Sequence, residues 1–110
     1  MAETLPQEML DEIVRRVVRV AAPDRIILFG SAARGMMGPD SDVDLLVVKQ
    51  GEYHRRNLAN EIYFSLTEVG PAFDVIVVTP EDVERYGESH CLVLAPALRE
   101  GRVVYDATTV

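Results

Sequence analysis

The sequence predicts an α/β (α+β) fold, a small mixed β-sheet with helices packed against it. Three observations predict it. Apolar runs of strand length lie at 25–29, 42–48 and 73–79, and segments with helical apolar spacing lie at 5–22 and 53–69. Gly and Pro mark the places where one period gives way to the other. Strands alternating with helices bury their sheet against the helices, with the strand order left open.

The elements follow in order. Over 5–22, Met9, Ile13, Val17, Val20 and Ala21 recur at helical spacing, with Glu12, Arg15, Arg16 and Arg19 opposite. Thr4 and Gln7 form a candidate capping box, and Pro6 suits a first turn. Asp11/Arg15 and Glu12/Arg16 are i,i+4 pairs with the acid first, and Pro23-Asp24 stops the helix. Arg25 to Phe29 is a buried strand ended by Gly30, and Asp42 to Val48 is a second strand, buried on both faces beyond Asp44. Leu58, Ile62 and Leu66 share one stripe of the helix over 53–69, which Gly70-Pro71 closes. Phe73 to Thr79 is a third strand. Thr79-Pro80-Glu81-Asp82 then opens a short helix, with an N-cap, a proline at the first position and acids in the first turn. A helical stretch over 89–100 carries Pro96 and is expected to kink or to split into two short pieces, and Val103 to Tyr105 is a candidate last strand.

The chain of 110 residues is expected to be one domain spanning 1–110. With 48% hydrophobic and 26% charged residues, it is neither disordered nor fibrous. A lone Cys91 excludes an internal disulfide. No apolar stretch approaches the ~20 residues of a membrane span. Glu3 and Glu8 stand where a secretory signal would be basic and then apolar, so a cytoplasmic protein with no membrane contact is expected. A net charge of −7 leaves no basic surplus to neutralise a phosphate backbone, so direct nucleic-acid binding is not expected. A small, metal-screened anion at one site remains compatible with that charge.

The chemistry concentrates in Gly30-Ser31-Ala32-Ala33-Arg34-Gly35, Ser41-Asp42-Val43-Asp44 and Asp74. In a strand, Asp42 and Asp44 project to the same face, about 6.6 Å apart along the chain. Asp74 heads another apolar strand and joins them if the two strands pair. Three carboxylates that close repel, and a divalent cation such as Mg²⁺ removes the conflict while keeping sites for water and phosphate. Gly30 lets backbone approach an anion without a Cβ in the way. Ser31 adds a hydroxyl and the start of a helix, and Arg34, one turn on, suits phosphate oxygens. Taken singly, each piece reads as a turn, a solvated strand end or a surface charge. Together they fit one site.

Gly30-Ser31, ten residues, then Asp42-x-Asp44 resembles the signature of the DNA polymerase β-like nucleotidyltransferase superfamily. Gly-Ser-x-Ala-Arg-Gly followed by Ser-Asp-x-Asp-Leu is similar to its minimal nucleotidyltransferase branch, and Phe73 to Pro80 resembles that branch's third acidic strand. The resemblance covers nearly the whole chain. It implies that Asp42 and Asp44 ligate two Mg²⁺ ions and that Asp74 completes the first metal site and helps activate the attacking hydroxyl. It also implies that Gly30 and Ser31 hold the terminal phosphates of ATP. Met36 and Met37 depart from the acidic or small residues common after this glycine, which bears on pocket shape.

Minimal nucleotidyltransferases of this size are similar to the antitoxins of HEPN/MNT toxin–antitoxin pairs. That likeness implies transfer of AMP from ATP to a tyrosine of a partner HEPN ribonuclease, within a hetero-oligomer. An acidic chain suits a basic RNA-binding partner. A binding-only antitoxin that masks its toxin, and a transferase acting on small molecules, are the competing readings. His54 and His90 are expected at the surface or at helix ends, Arg55 and Arg56 on a solvated face, and Cys91 in the core. Tyr53, Tyr63, Tyr86 and Tyr105 are expected in the core or at an interface.

Overall fold

The computed structural model describes residues 6–30, 42–70, 72–86 and 101–107. Helix α1 (Gln7–Ala21) forms where apolar residues recur every three or four positions, and it buries Leu10, Ile13, Val17 and Ala21. Leu10 takes the first buried position that the pattern gave to Met9, which packs at the margin. Pro6 occupies the N-cap, with no side-chain cap, and Gln7 Nε2 donates to Asp11 Oδ1 at 2.9 Å, while Thr4 of the expected capping box lies outside the described residues. Asp11 is thus engaged by Gln7, and Glu12 holds both Arg15 and Arg16 at 2.8 Å. The helix closes with Ala22 in the left-handed region, just before Pro23.

The strands are β1 (Arg25–Phe29), β2 (Val43–Val48), β3 (Phe73–Val78) and β4 (Arg102–Asp106). They form a mixed sheet in the order β3-β2-β1-β4. β1 pairs antiparallel with β2 and β4, whereas β2 and β3 run parallel. Helix α2 (Arg55–Leu66) makes the crossover between the parallel pair, as parallel neighbours require. The pairing of β2 opens with the Val43 N–H donating to the Ala72 carbonyl at 2.8 Å, so Asp42 stands just ahead of the strand rather than inside it. Thr79 similarly falls just beyond β3, and α2 is shorter at both ends than the stretch 53–69. The expected helix over 89–100, with Pro96, His90 and Cys91, lies outside the described residues.

Residues 45–48 are buried on both faces of the sheet, which explains the unbroken apolar run. Ile26, Leu28, Val43, Leu45 and Val47 face the main core, where Ile13 and Val17 of α1 and Leu58, Ile62 and Leu66 of α2 cover them. Ile27, Leu46, Val48 and Val78 face the other side, with Phe29, Ile76 and Val83 against them. At about 25 cal/mol per Å² of apolar surface, these side chains supply most of the drive to fold.

At the end of the sheet where β2 and β3 finish, the Tyr53 hydroxyl shares its proton between the Lys49 carbonyl at 2.6 Å and the Val78 carbonyl at 3.2 Å. Burial pushes its pKa up. His54 is the N-cap of α2, its Nδ1 accepting from the Asn57 N–H, a helix-end position as expected. Helix α3 (Pro80–Tyr86) starts on a reciprocal cap: the Asp82 N–H donates to Thr79 Oγ1 at 3.2 Å, and the Thr79 N–H donates to Asp82 Oδ2 at 3.1 Å. Arg55 and Arg56 are exposed, as expected, and Arg55 Nη1 reaches the same carboxylate at 2.7 Å, so this solvated side chain also ties α2 to α3.

Burial alone would raise the Asp82 pKa, but the Thr79 N–H and the Arg55 guanidinium outweigh it and hold it below the usual carboxylate range. Asp82→Ala is therefore expected to cost about 1 kcal/mol, the usual worth of a capping side chain, read by urea unfolding at pH 7. Because the folded-state pKa is depressed, this stabilisation is full above the ordinary aspartate range. It fades as pH falls through the lower folded value, and the wild-type and variant curves should converge there.

Candidate active site

β1 delivers the chain to Gly30, and β2 and β3 begin beside it. Phe29 is the register partner of Asp44, and Asp44 is the register partner of Asp74. Partners in adjacent strands share a face, so both carboxylates project to the side of the sheet that carries Leu46, Ile76 and Val78 further along. Paired backbones stand about 4.8 Å apart, which brings the two acids together. Asp74 and Asp42 are exposed, and Asp44 is half-buried between them.

Gly30 adopts φ +72°, a conformation that side chains resist. A Cβ there would overlap Asp44 Oδ2 and come within 3.2 Å of its Cγ. The sequence suggested that the missing Cβ makes room for an anion. In the fold that room is taken by the Asp44 carboxylate, which lies against the glycine. Gly30 therefore fixes where Asp44 can point.

Electrostatics agree with this geometry. Burial raises the Asp44 pKa, and the charges of Asp74 and then Asp42 raise it further. Asp42 thus belongs to the same acidic group although it precedes the strand. Among the described residues no arginine, lysine or histidine pairs with Asp42, Asp44 or Asp74. Nor, among the described residues, do three or more carboxylate, imidazole or thiol groups stand together so as to hold a metal ion, the trio Asp42, Asp44 and Asp74 included. The in-register carboxylates of Asp44 and Asp74 repel each other, and a hard cation such as Mg²⁺, which takes one or two carboxylates and keeps water and phosphate as its other ligands, suits such a pair. Gly30, Asp42, Asp44 and Asp74 are accordingly gathered at one end of the sheet. Ser31 and Arg34, with Met36 and Met37, lie outside the described residues.

What sequence reasoning missed is the dependence of Asp44 on Gly30. Its one sequence signal, a glycine ending a strand, is shared by ordinary turns.

Fold and site together define a class: a mixed-sheet α/β domain that presents carboxylates where two parallel strands begin, beside a positive-φ glycine. The chain belongs to the nucleotidyltransferase domain family, whose model matches residues 8–100, and its general activity is nucleotidyl transfer. Members of this family generally use a nucleoside triphosphate and a divalent metal. No curated protein matches the sequence. Among solved structures, the crystal structure of a candidate nucleotidyltransferase from Sulfolobus solfataricus superposes with a TM-score of 0.56 at 20% identity, covering 93% of this chain and 84% of that one. That likeness concerns the fold. No helix among the described residues is long and apolar enough to cross a membrane.

Proposed function

We propose that this chain is a Mg²⁺-dependent antitoxin that transfers AMP from ATP to a tyrosine hydroxyl of a partner HEPN ribonuclease and so silences it. The observation that supports the reading best is the in-register pair Asp44–Asp74 beside Gly30. Asp42, Asp44 and Asp74 are the residues that would hold Mg²⁺, which when bound supplies positive charge to the phosphates and the developing transition state. Gly30 and Ser31 would face the terminal phosphates, and Arg34 would meet their oxygens. The tyrosine oxygen forms a bond to the α-phosphorus, the bond from that phosphorus to the β-phosphate bridge breaks, and pyrophosphate leaves. The hydroxyl proton passes to Asp74, which is exposed at the mouth of the site.

The acceptor comes from outside. The described elements build a single sheet, and a separate protein that presents the hydroxyl fits that arrangement. The competing reading, a module that masks its partner without chemistry, draws on the finding that no three such groups among the described residues stand together so as to hold a metal ion. Incubation of the pair with Mg²⁺ and ATP labelled at the α-phosphate separates the two. Label is expected on a partner tyrosine, and none with Asp42→Ala plus Asp44→Ala. No label on the partner, with neutralisation surviving in that double variant, would establish masking. Labelled products of low mass would instead indicate a small-molecule acceptor.

A further inference from the structure

Helix α2 carries apolar side chains on two opposite faces. Leu58, Ile62 and Leu66 are buried against the sheet, whereas Tyr63 is 44% and Phe64 71% exposed. At about 100° per residue, Phe64 lies about 200° round the helix from Ile62 and points away from the core. The two exposed rings meet edge to face with centroids 5.9 Å apart, an aromatic pair held ready at the surface. A helix with one apolar stripe is covered on one side, as α1 is, and a helix apolar on both sides is normally covered on both. α2 has the second pattern, and the described residues cover only its inner side.

The surroundings fix the sign of what covers it. Asn60, Glu61, Thr67 and Glu68 flank Phe64 at helical neighbour positions, all exposed. The last turn of α2 carries no basic residue, so the negative end of the helix dipole adds to the two glutamates. Arg16 approaches Glu68 to 3.9 Å but is already held by the Ser65 carbonyl and Glu12, and the exposed Arg56 stands two turns before Phe64 on α2. A second copy of this chain would set one acidic face against another.

We propose that the Tyr63–Phe64 face of α2 is the docking surface for a protein partner whose contacting surface is basic, with arginine side chains lying over the two rings and reaching Glu61 and Glu68. Guanidinium groups stack on aromatic faces and pair with carboxylates, and such aromatic–arginine clusters concentrate binding energy. The net charge of −7 steers such a partner in. The proposal rests on the reading that a partner protein is the acceptor, and it says where that partner grips. Because α2 returns from the end of β2 to the start of β3, its last turns sit at the same end of the sheet as Asp44 and Asp74, on the opposite face. Anchoring and chemistry are thus separate.

The test measures the affinity of the full chain for the purified HEPN partner by calorimetry at two salt concentrations. It compares wild type with Phe64→Ser, Glu61→Lys and the acid-site variant Asp42→Ala plus Asp44→Ala. Phe64→Ser is expected to weaken binding by about tenfold or more, with no loss of thermal stability because the ring is exposed. Glu61→Lys is expected to weaken binding at the lower salt concentration and flatten the salt dependence of the affinity. The acid-site variant is expected to bind like wild type while transferring nothing. If Phe64→Ser and Glu61→Lys bind like wild type, or if the isolated chain forms a dimer that Phe64→Ser dissolves, the docking surface is wrong. Loss of binding in Phe64→Ser without nucleotide transfer by wild type would uphold the surface and remove the transferase reading instead.

Discussion

Asp44→Asn is expected to abolish nucleotidyl transfer and, in metal-free buffer near neutral pH, to raise the melting temperature. Both halves follow from one side chain. Asp44 is half-buried against Gly30, and burial, Asp74 and Asp42 all push its pKa up. The folded protein therefore binds a proton at Asp44 more tightly than the unfolded chain does. Stability contributed by that proton is full below the ordinary aspartate range and is lost as pH rises through the elevated folded value. At neutral pH the ionised carboxylate is a cost that asparagine, of the same shape, removes. Bound Mg²⁺ reverses the balance, since a ligand held only by the folded state stabilises it. Wild type should therefore gain melting temperature on adding Mg²⁺, and Asp44→Asn should not. The loss in transfer rate is expected to be at least about a hundredfold, the scale for removing one charge-stabilising group. Calorimetric scans with and without Mg²⁺, beside the labelled-ATP assay, read both effects. An equal Mg²⁺ gain in the variant would remove Asp44 from the site.

Gly30→Ala is expected to damage stability and activity together. Alanine at φ +72° costs about 1–2 kcal/mol by backbone crowding alone. Its Cβ would also overlap Asp44 Oδ2, so the carboxylate must swing away. A drop in melting temperature of about 4–8 °C per kcal/mol is expected for a domain near this size. Gly70→Ala is the control, because Gly70 has φ +131° but nothing within 4 Å of a Cβ built there. Both substitutions strain the backbone, and only the first is expected to abolish transfer. Retained transfer in Gly30→Ala would show that the contact with Asp44 does not set the site.

Much of this architecture was legible in the sequence because the signals are local. The strand 25–29 matches β1 residue for residue, since an apolar run bounded by Asp24 and Gly30 leaves little choice. The stripe Leu58, Ile62 and Leu66 was readable for the same reason, and so was the Thr79 cap, whose partners lie within four residues. Where a side chain has several partners to choose from, or a distant one, spacing does not settle the pairing. Glu12, with one more methylene than Asp11, takes Arg15 as well as Arg16, and Asp11 is left to Gln7. The exposure of Arg55 is legible in the sequence, but its ion pair with Asp82 is not, because Asp82 lies beyond a helix and a strand.

The acids divide the same way. That Asp44 lies on a strand beside a strand-ending glycine, and that Asp74 heads a strand of its own, was determined by the sequence. Residue spacing and β periodicity carry that information directly. That β2 and β3 are parallel neighbours, with Asp44 opposite Asp74, was decided by the tertiary structure alone. Register between strands thirty residues apart is set by how Leu46, Val48, Ile76 and Val78 fit one apolar layer, and a slip of a single residue would send Asp74 to the other face. The tertiary structure alone also placed the Asp44 carboxylate in the space a side chain at Gly30 would fill, because only the folded chain brings the end of one strand against the beginning of the next.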